Sequence, residues 1–235
     1  YIVDLENGSG HFNIGLNSAF PGIMSNPKSL RAFFSYFLDF ISHTELASGI
    51  WDFDEFNARP FINSQDRHSE TRRTRQMKKI ITDFQDGKIT SYEDLYQRIY
   101  ENSRLIGISN YLHQKESIHL PHFISAHLDS AVIEIRSVWS QPSYRHFILM
   151  AELFELRVKY LASRGFPVEF YPVRDDISDQ EKLDRYFLYV TEAGGDWEVY
   201  KDLIWPLFST KKPSAFLLKQ PARYSLRDKE ALKSY

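Results

Sequence analysis

The chain contains no cysteine. That excludes disulfides and thiolate metal sites, and leaves histidine and the carboxylates as side chains able to ligate a metal. Long apolar runs are also missing: no stretch reaches the roughly 18 apolar residues that a membrane-spanning helix needs. Neither sign of charge dominates. The 29 Lys and Arg nearly balance 31 Asp and Glu, for a net charge of −2 and a pI near 6.5. Such a balance exerts no global pull toward nucleic acid or anionic membrane. Internal repeats and low-complexity tracts are absent too. The lack of cysteine is compatible with the cytosol, and the cytoplasm is the expected compartment. The chain starts at Tyr1 on strand-like residues, Tyr1-Ile2-Val3-Asp4-Leu5, so an upstream region is expected to precede it.

Core-forming residues are plentiful. With 235 residues, 43% hydrophobic and 15% aromatic, the chain is long enough for one large domain or two small ones. Residues 1–15 read as one or two strands around an Asn7-Gly8 turn. Pro27 sits where a helix starts. Leu30, Phe33, Phe34, Phe37, Leu38 and Ile41 then repeat at helical spacing, which predicts an amphipathic helix ending near Gly49. Residues 68–85 predict a second helix, apolar at Met77, Ile80, Ile81 and Phe84, basic opposite, and stopped by Gly87. Ser91-Tyr92-Glu93-Asp94 resembles a capping box and opens a third helix through Tyr100. Residues 118–138 read as two strands separated near Asp129-Ser130. A long helix over 143–163 turns Phe147, Met150, Ala151, Phe154, Val158 and Leu161 inward, and Ser178 with Glu181 caps a further helix. The last 25 residues or so read as a peripheral helix or tail. The expected fold is therefore α+β, with helices packed on one face of a largely antiparallel sheet. The expected domains are a core over 1–165 and a helical C-terminal extension over 166–235 packed on it.

Two short strands carry the candidate chemistry. In a strand, residues i and i+2 share a face. His11 and Asn13 therefore look one way, with Phe12 and Ile14 behind them. Glu134 and Arg136 do the same, backed by Ile133 and Ile135. A polar pair in an apolar strand is costly unless it meets a metal, a ligand or a partner. Two such strands with complementary charge point to a sheet face that binds something ionic.

Asn7-Gly8-Ser9-Gly10-His11-Phe12-Asn13 resembles the Asn-Gly-x-Gly-x-His segment of glutamine synthetases, with one residue fewer before the His. It is closer to the Gly-His-x-His strand of the amidoligase family, in the carboxylate–amine ligase superfamily that also holds glutamate–cysteine ligase. In that family a long helix follows the strand, and a later Glu-x-Arg strand precedes another long helix. Ser125-Ala126-His127-Leu128, then Glu134-Ile135-Arg136, then the helix over 143–163 repeat this order here. The resemblance spans about residues 7–163. It departs from the pattern where Asn13 stands for the second His, and where the early strand with two acidic ligands is missing unless Asp4 and Glu6 are its remnant.

The resemblance implies a glutamine synthetase-like catalytic fold, possessing or lacking its N-terminal strands. It implies an ATP-dependent carboxylate–amine ligase that forms an amide or isopeptide bond through an acyl phosphate, with ATP and Mg2+ as cofactors. The substrates would be small-molecule or peptide carboxylates and amines. Glu134 and His11 would be metal ligands, because hard cations favour oxygen donors and His11 adds a nitrogen. Gly8, Gly10, His11 and Asn13 would bind the nucleotide. Arg136 would clamp the transferring phosphoryl group, where a planar fork outperforms lysine, and Arg59 would be a second clamp.

Structural readings stand beside these. His11 also reads as an exposed strand histidine, Glu134 and Arg136 as a salt bridge, and Arg59 as a framework residue. His119, His122 and His127 match no usual structural zinc spacing. Arg72, Arg73, Arg75, Lys78 and Lys79 read as a solvated helix face rather than a nucleic-acid contact. The alternative function is a non-catalytic interaction domain that binds protein or nucleic acid.

Overall fold

Local chemistry starts and stops most of the helices. The computed structural model describes residues 9–43, 67–105, 118–119, 131–139, 143–164, 178–204 and 213. Strand β1 (Ser9–Gly15) runs into a single helical turn, α1 (Leu16–Ala19). Helix α2 spans Pro27–Ser42. Asn26 caps it by accepting from the Lys28 N–H at 3.0 Å, and Pro27 fills the first helical position, where a missing N–H costs nothing. Helix α3 spans Arg67–Gln85. It ends in paired backbone bonds, Lys88 N to Asp83 O at 2.8 Å and Gly87 N to Phe84 O at 3.1 Å. Gly87 supplies the positive φ of 71° that this ending requires. Helix α4 spans Tyr92–Leu105, and Ser91 Oγ accepts from the Asp94 N–H at 3.1 Å.

Two further strands follow, β2 (Ile118–His119) and β3 (Val132–Trp139). Helix α5 is Tyr144–Arg164. Helix α6 is Asp179–Glu192, capped by Ser178 accepting from the Glu181 N–H at 3.2 Å. A short α7 (Trp197–Tyr200) and a 3-10 turn (Lys201–Leu203) complete the described elements. The described chain is thus mostly helical with a small antiparallel sheet, an α+β arrangement.

The sheet order is β1-β3-β2, with both flanking strands antiparallel to β3. The strand latest in sequence therefore sits in the centre. Its Ile133 and Ile135 are 0% exposed, and Phe12 lies opposite Ile135 on β1. Phe12 meets α5, with its ring 5.0 Å from that of Phe154 and 5.2 Å from that of Phe147. Through these rings α5 packs on the apolar face. Asn13 and Val132 remain exposed on the other.

Three expectations change in detail. Helix α2 is not one-sidedly amphipathic: every residue from Phe33 to Ser42 is buried. It lies along α5 inside the core, and a helix surrounded by protein buries its polar positions with its apolar ones. Fully burying each of Phe33, Phe34, Phe37 and Leu38 contributes on the order of 1.5–3 kcal/mol. The helix also stops at Ser42, because His43 leaves helical geometry at φ −94° and ψ 75°. On α5 the inward face is Leu149, Met150, Leu153, Phe154, Arg157 and Leu161. Helical spacing places Phe147 inside, but it is 47% exposed, since it sits in the first turn of the helix, where its ring meets that of Phe12 at 5.2 Å. Leu183, Tyr186, Tyr189 and Val190 of α6 join the same core as α2 and α5. The expected tail over the last 25 residues lies outside the described residues except for Pro213, which is buried. Among the described residues, no helix is long and apolar enough to cross a membrane.

Candidate functional site

The sheet register decides which candidate residues meet. Asn13 of β1 stands opposite Glu134 of β3, and His119 of β2 stands opposite Glu134 from the other side. Directly opposed residues in an antiparallel sheet share a face. Positions 13, 134 and 119 therefore form one row across all three strands. Asn13 is exposed and Glu134 half-buried, so solvent reaches this row. The neighbouring row, Phe12, Ile135 and Ile118, belongs to the opposite face.

One step along, the register shifts. Gly10 pairs with Val138 and Phe12 with Ile135, so the single residue His11 faces both Arg136 and Ser137. This is a β-bulge on β3, a feature that bends a strand, strengthens its twist and re-aims side chains. Strand register thus brings positions 11, 13, 134 and 136 into one neighbourhood. Of the remaining candidates, Gly10 lies in β1 at the bulge, while Gly8, Arg59, Asp4 and Glu6 lie outside the described residues. His122 and His127 also lie outside them. Arg75, Lys78 and Lys79 on α3 are exposed, as on a solvated helix face. Among the described residues, no group of three or more histidine and carboxylate side chains is set to hold a metal ion. Glu134 contributes a described side chain, and positions 11 and 119 enter through strand register.

A second polar cluster escaped the sequence reading. Asp39 of α2 and Arg157 of α5 are 5% and 2% exposed. They make a bidentate pair, with Arg157 Nε donating to Asp39 Oδ2 at 2.8 Å and Nη2 to Oδ1 at 2.6 Å. Arg157 Nη1 donates to the Tyr189 carbonyl at 3.0 Å and to Glu192 Oε2 at 3.4 Å on α6. The guanidinium also lies 4.4 Å from the Tyr189 ring centre and 5.0 Å from that of Tyr160. His43 Nε2 stands 3.6 Å from Asp39 Oδ1, and Arg185 donates to the Ser42 carbonyl at 2.7 Å. Burial pushes the Asp39 carboxyl upward, but the charge and hydrogen bonds of Arg157 outweigh it. With help from His43, they hold it well below the ordinary carboxylate range. Burial opposes the Arg157 charge in turn, and Asp39 more than restores it. Burial, then the Asp39 charge, pushes the Tyr36 phenol far up.

This cluster ties α2, α5 and α6 together, and its Asp39–Arg157 centre faces no solvent, so its role is to hold the framework behind the sheet. Two signals were available to find it. Asp39 interrupts an otherwise apolar run, Phe37-Leu38-Asp39-Phe40-Ile41, and Arg157 falls on the apolar spacing of α5 between Phe154 and Leu161.

No family model, curated protein or solved structure matches this chain.

Proposed function

We propose that the polar face of the β1-β3-β2 sheet is the site of an ATP-dependent carboxylate–amine ligase with a glutamine synthetase-like catalytic fold. One observation carries the reading: Asn13 stands opposite Glu134 in a sheet whose other face packs on α5 through Phe12, with the register placing positions 11 and 136 side by side at the adjoining bulge. The donor set suits a divalent cation, since Glu134 offers charged oxygen, Asn13 neutral oxygen and His11 nitrogen. Glu134 and His11 would hold the ion, and a bound Mg2+ would neutralise charge on the nucleotide phosphates. Asn13 would donate to a phosphate or to a substrate carboxylate. Arg136 would present a planar fork to the phosphoryl group as it moves from ATP to the substrate carboxylate. The acyl phosphate so formed is attacked by an amine, giving the amide and inorganic phosphate.

The test is calorimetry of ATP binding, with and without Mg2+. The proposal expects binding that tightens when Mg2+ is present. Absence of nucleotide binding under both conditions overturns it and leaves the polar face to an interaction domain.

A further inference from the structure

The basic face of α3 took no part in that scheme. Arg75, Lys78 and Lys79 stand at i, i+3 and i+4, so they are neighbours on one side of the helix. All three are exposed, and among the described residues none of them is ion-paired. A solvated helix face ordinarily interleaves acids with its cations. The exposed side chains described on α3 are Arg75, Lys78, Lys79, Thr82 and Gln85, with no acid among them. Nearby acids are committed to other cations. Asp83 accepts from Lys88 at 3.2 Å and from Arg98 at 3.0 Å, Asp86 from Lys88 at 2.8 Å, and Asp94 from Arg98 at 2.8 Å. Glu93 stands in the first turn of α4, where it offsets that helix's own dipole. The basic face also has a firm backing. Met77 and Ile80 are buried in the core, and Gln76 donates to the Arg98 carbonyl of α4 at 2.7 Å.

We infer that this face of α3 docks on the phosphate backbone of double-helical nucleic acid, without reading its sequence. Charge density selects that occupant. Positions 75–79 cover about 6 Å of helix axis. A duplex carries one charge per about 1.7 Å of its own axis, so a matching length offers roughly three or four phosphates to the three cations. An extended acidic peptide, at about 3.3 Å per residue, brings only about two charges over that length. A helix that lies on a membrane needs a free apolar face, and that of α3 is taken up by the core. Phosphate contacts fix position but carry no sequence information. The inference goes beyond the ligase reading and does not depend on it, since it uses neither ATP nor a metal.

The experiment titrates a fluorescent duplex of arbitrary sequence with the full 235-residue chain, read by anisotropy across a salt series without ATP or Mg2+. Neutralising three phosphates gives a slope of log affinity on log salt of about −2.7, a loss of about 40-fold between about 50 and 200 mM salt. Arg75→Gln, Lys78→Gln and Lys79→Gln should each flatten the slope by about 0.9. The triple variant should lose binding with an unchanged melting curve. Lys159→Gln removes an exposed cation that pairs with Glu155 on α5, and it should bind as the wild type does. Absence of binding at about 50 mM salt, normal binding by the triple variant, or the same loss in Lys159→Gln each overturns the inference. Tighter binding of poly-aspartate than of the duplex at one ionic strength also overturns it and assigns the face to an acidic protein. Tighter binding of phosphatidylserine vesicles overturns it in favour of a membrane.

Discussion

Replacing Asp39 by asparagine should destabilise the fold severely while barely changing its shape. The wild-type carboxylate accepts two hydrogen bonds from Arg157, at 2.8 and 2.6 Å, inside a site that water does not reach. The substituted amide would keep one acceptor and turn its N–H₂ against a guanidinium N–H. The lost charge-assisted bond costs about 1.5–3 kcal/mol. Among the described residues, Arg157 would then retain only Glu192 as a counter-charge, at 3.4 Å and partly exposed. Breaking a buried pair from one side costs roughly 3–5 kcal/mol in total. For a chain of this size that lowers Tm by roughly 6–20 °C. Thermal unfolding followed by circular dichroism measures it.

The pH dependence supplies an independent check. Asp39 has a folded pKa held below its ordinary value of about 3.8. Its contribution is therefore full above the unfolded pKa and is lost as pH falls through the folded one. The gap in stability between wild type and Asp39→Asn should be constant from pH 7 to about 5 and narrow below about 4. A double change, Asp39→Leu with Arg157→Met, should recover most of the loss, because apolar replacement of both partners is often neutral or stabilising. The reasoning is refuted if Asp39→Asn costs less than about 1 kcal/mol, or if its gap to wild type widens in acid.

Under the proposed ligase function, Glu134→Gln and Arg136→Ala should each abolish ATP consumption with little change in Tm, because Gln would keep the shape but not the charge of a metal ligand and Arg136 would act on the transferring group. Normal turnover with a large Tm loss would assign the pair to structure alone. Tyr36→Phe should leave stability unchanged or raise it by up to about 1–3 kcal/mol, since the buried Tyr36 hydroxyl finds no hydrogen-bond partner among the described residues; urea unfolding reads the difference. Gly87→Ala should cost about 1–2 kcal/mol through the positive φ alone, because nothing lies within 4 Å of the added methyl. Equal urea midpoints for wild type and Gly87→Ala would contradict that.

The capped and glycine-stopped helix ends were legible because their causes are local, whereas the end of α2 was carried to Gly49 by the sequence and falls at Ser42. Asn26-Pro27, Ser91, Gly87 and Ser178 satisfy or terminate backbone groups within five residues of themselves. The alternation of His11-Phe12-Asn13 and of Ile133-Glu134-Ile135 announced which side chains share a face of each strand. Pairing is another matter. Nothing near Asn13 states that it stands opposite Glu134 rather than Arg136, because register comes from the apolar faces meeting α5 and from the bulge at His11. His119 reached the candidate row by the same route: two strands were read over 118–138, but nothing local states which of their residues oppose each other. The core polar pair went furthest beyond reach. Asp39 and Arg157 lie 118 residues apart, and each alone reads as a misplaced charge in an apolar helix. Sequence by itself determined where the capped helices begin and which side chains alternate along each strand. The packing of α2, α5 and α6 decided which charges had to meet, because a buried charge is tolerated only where the tertiary structure supplies its partner.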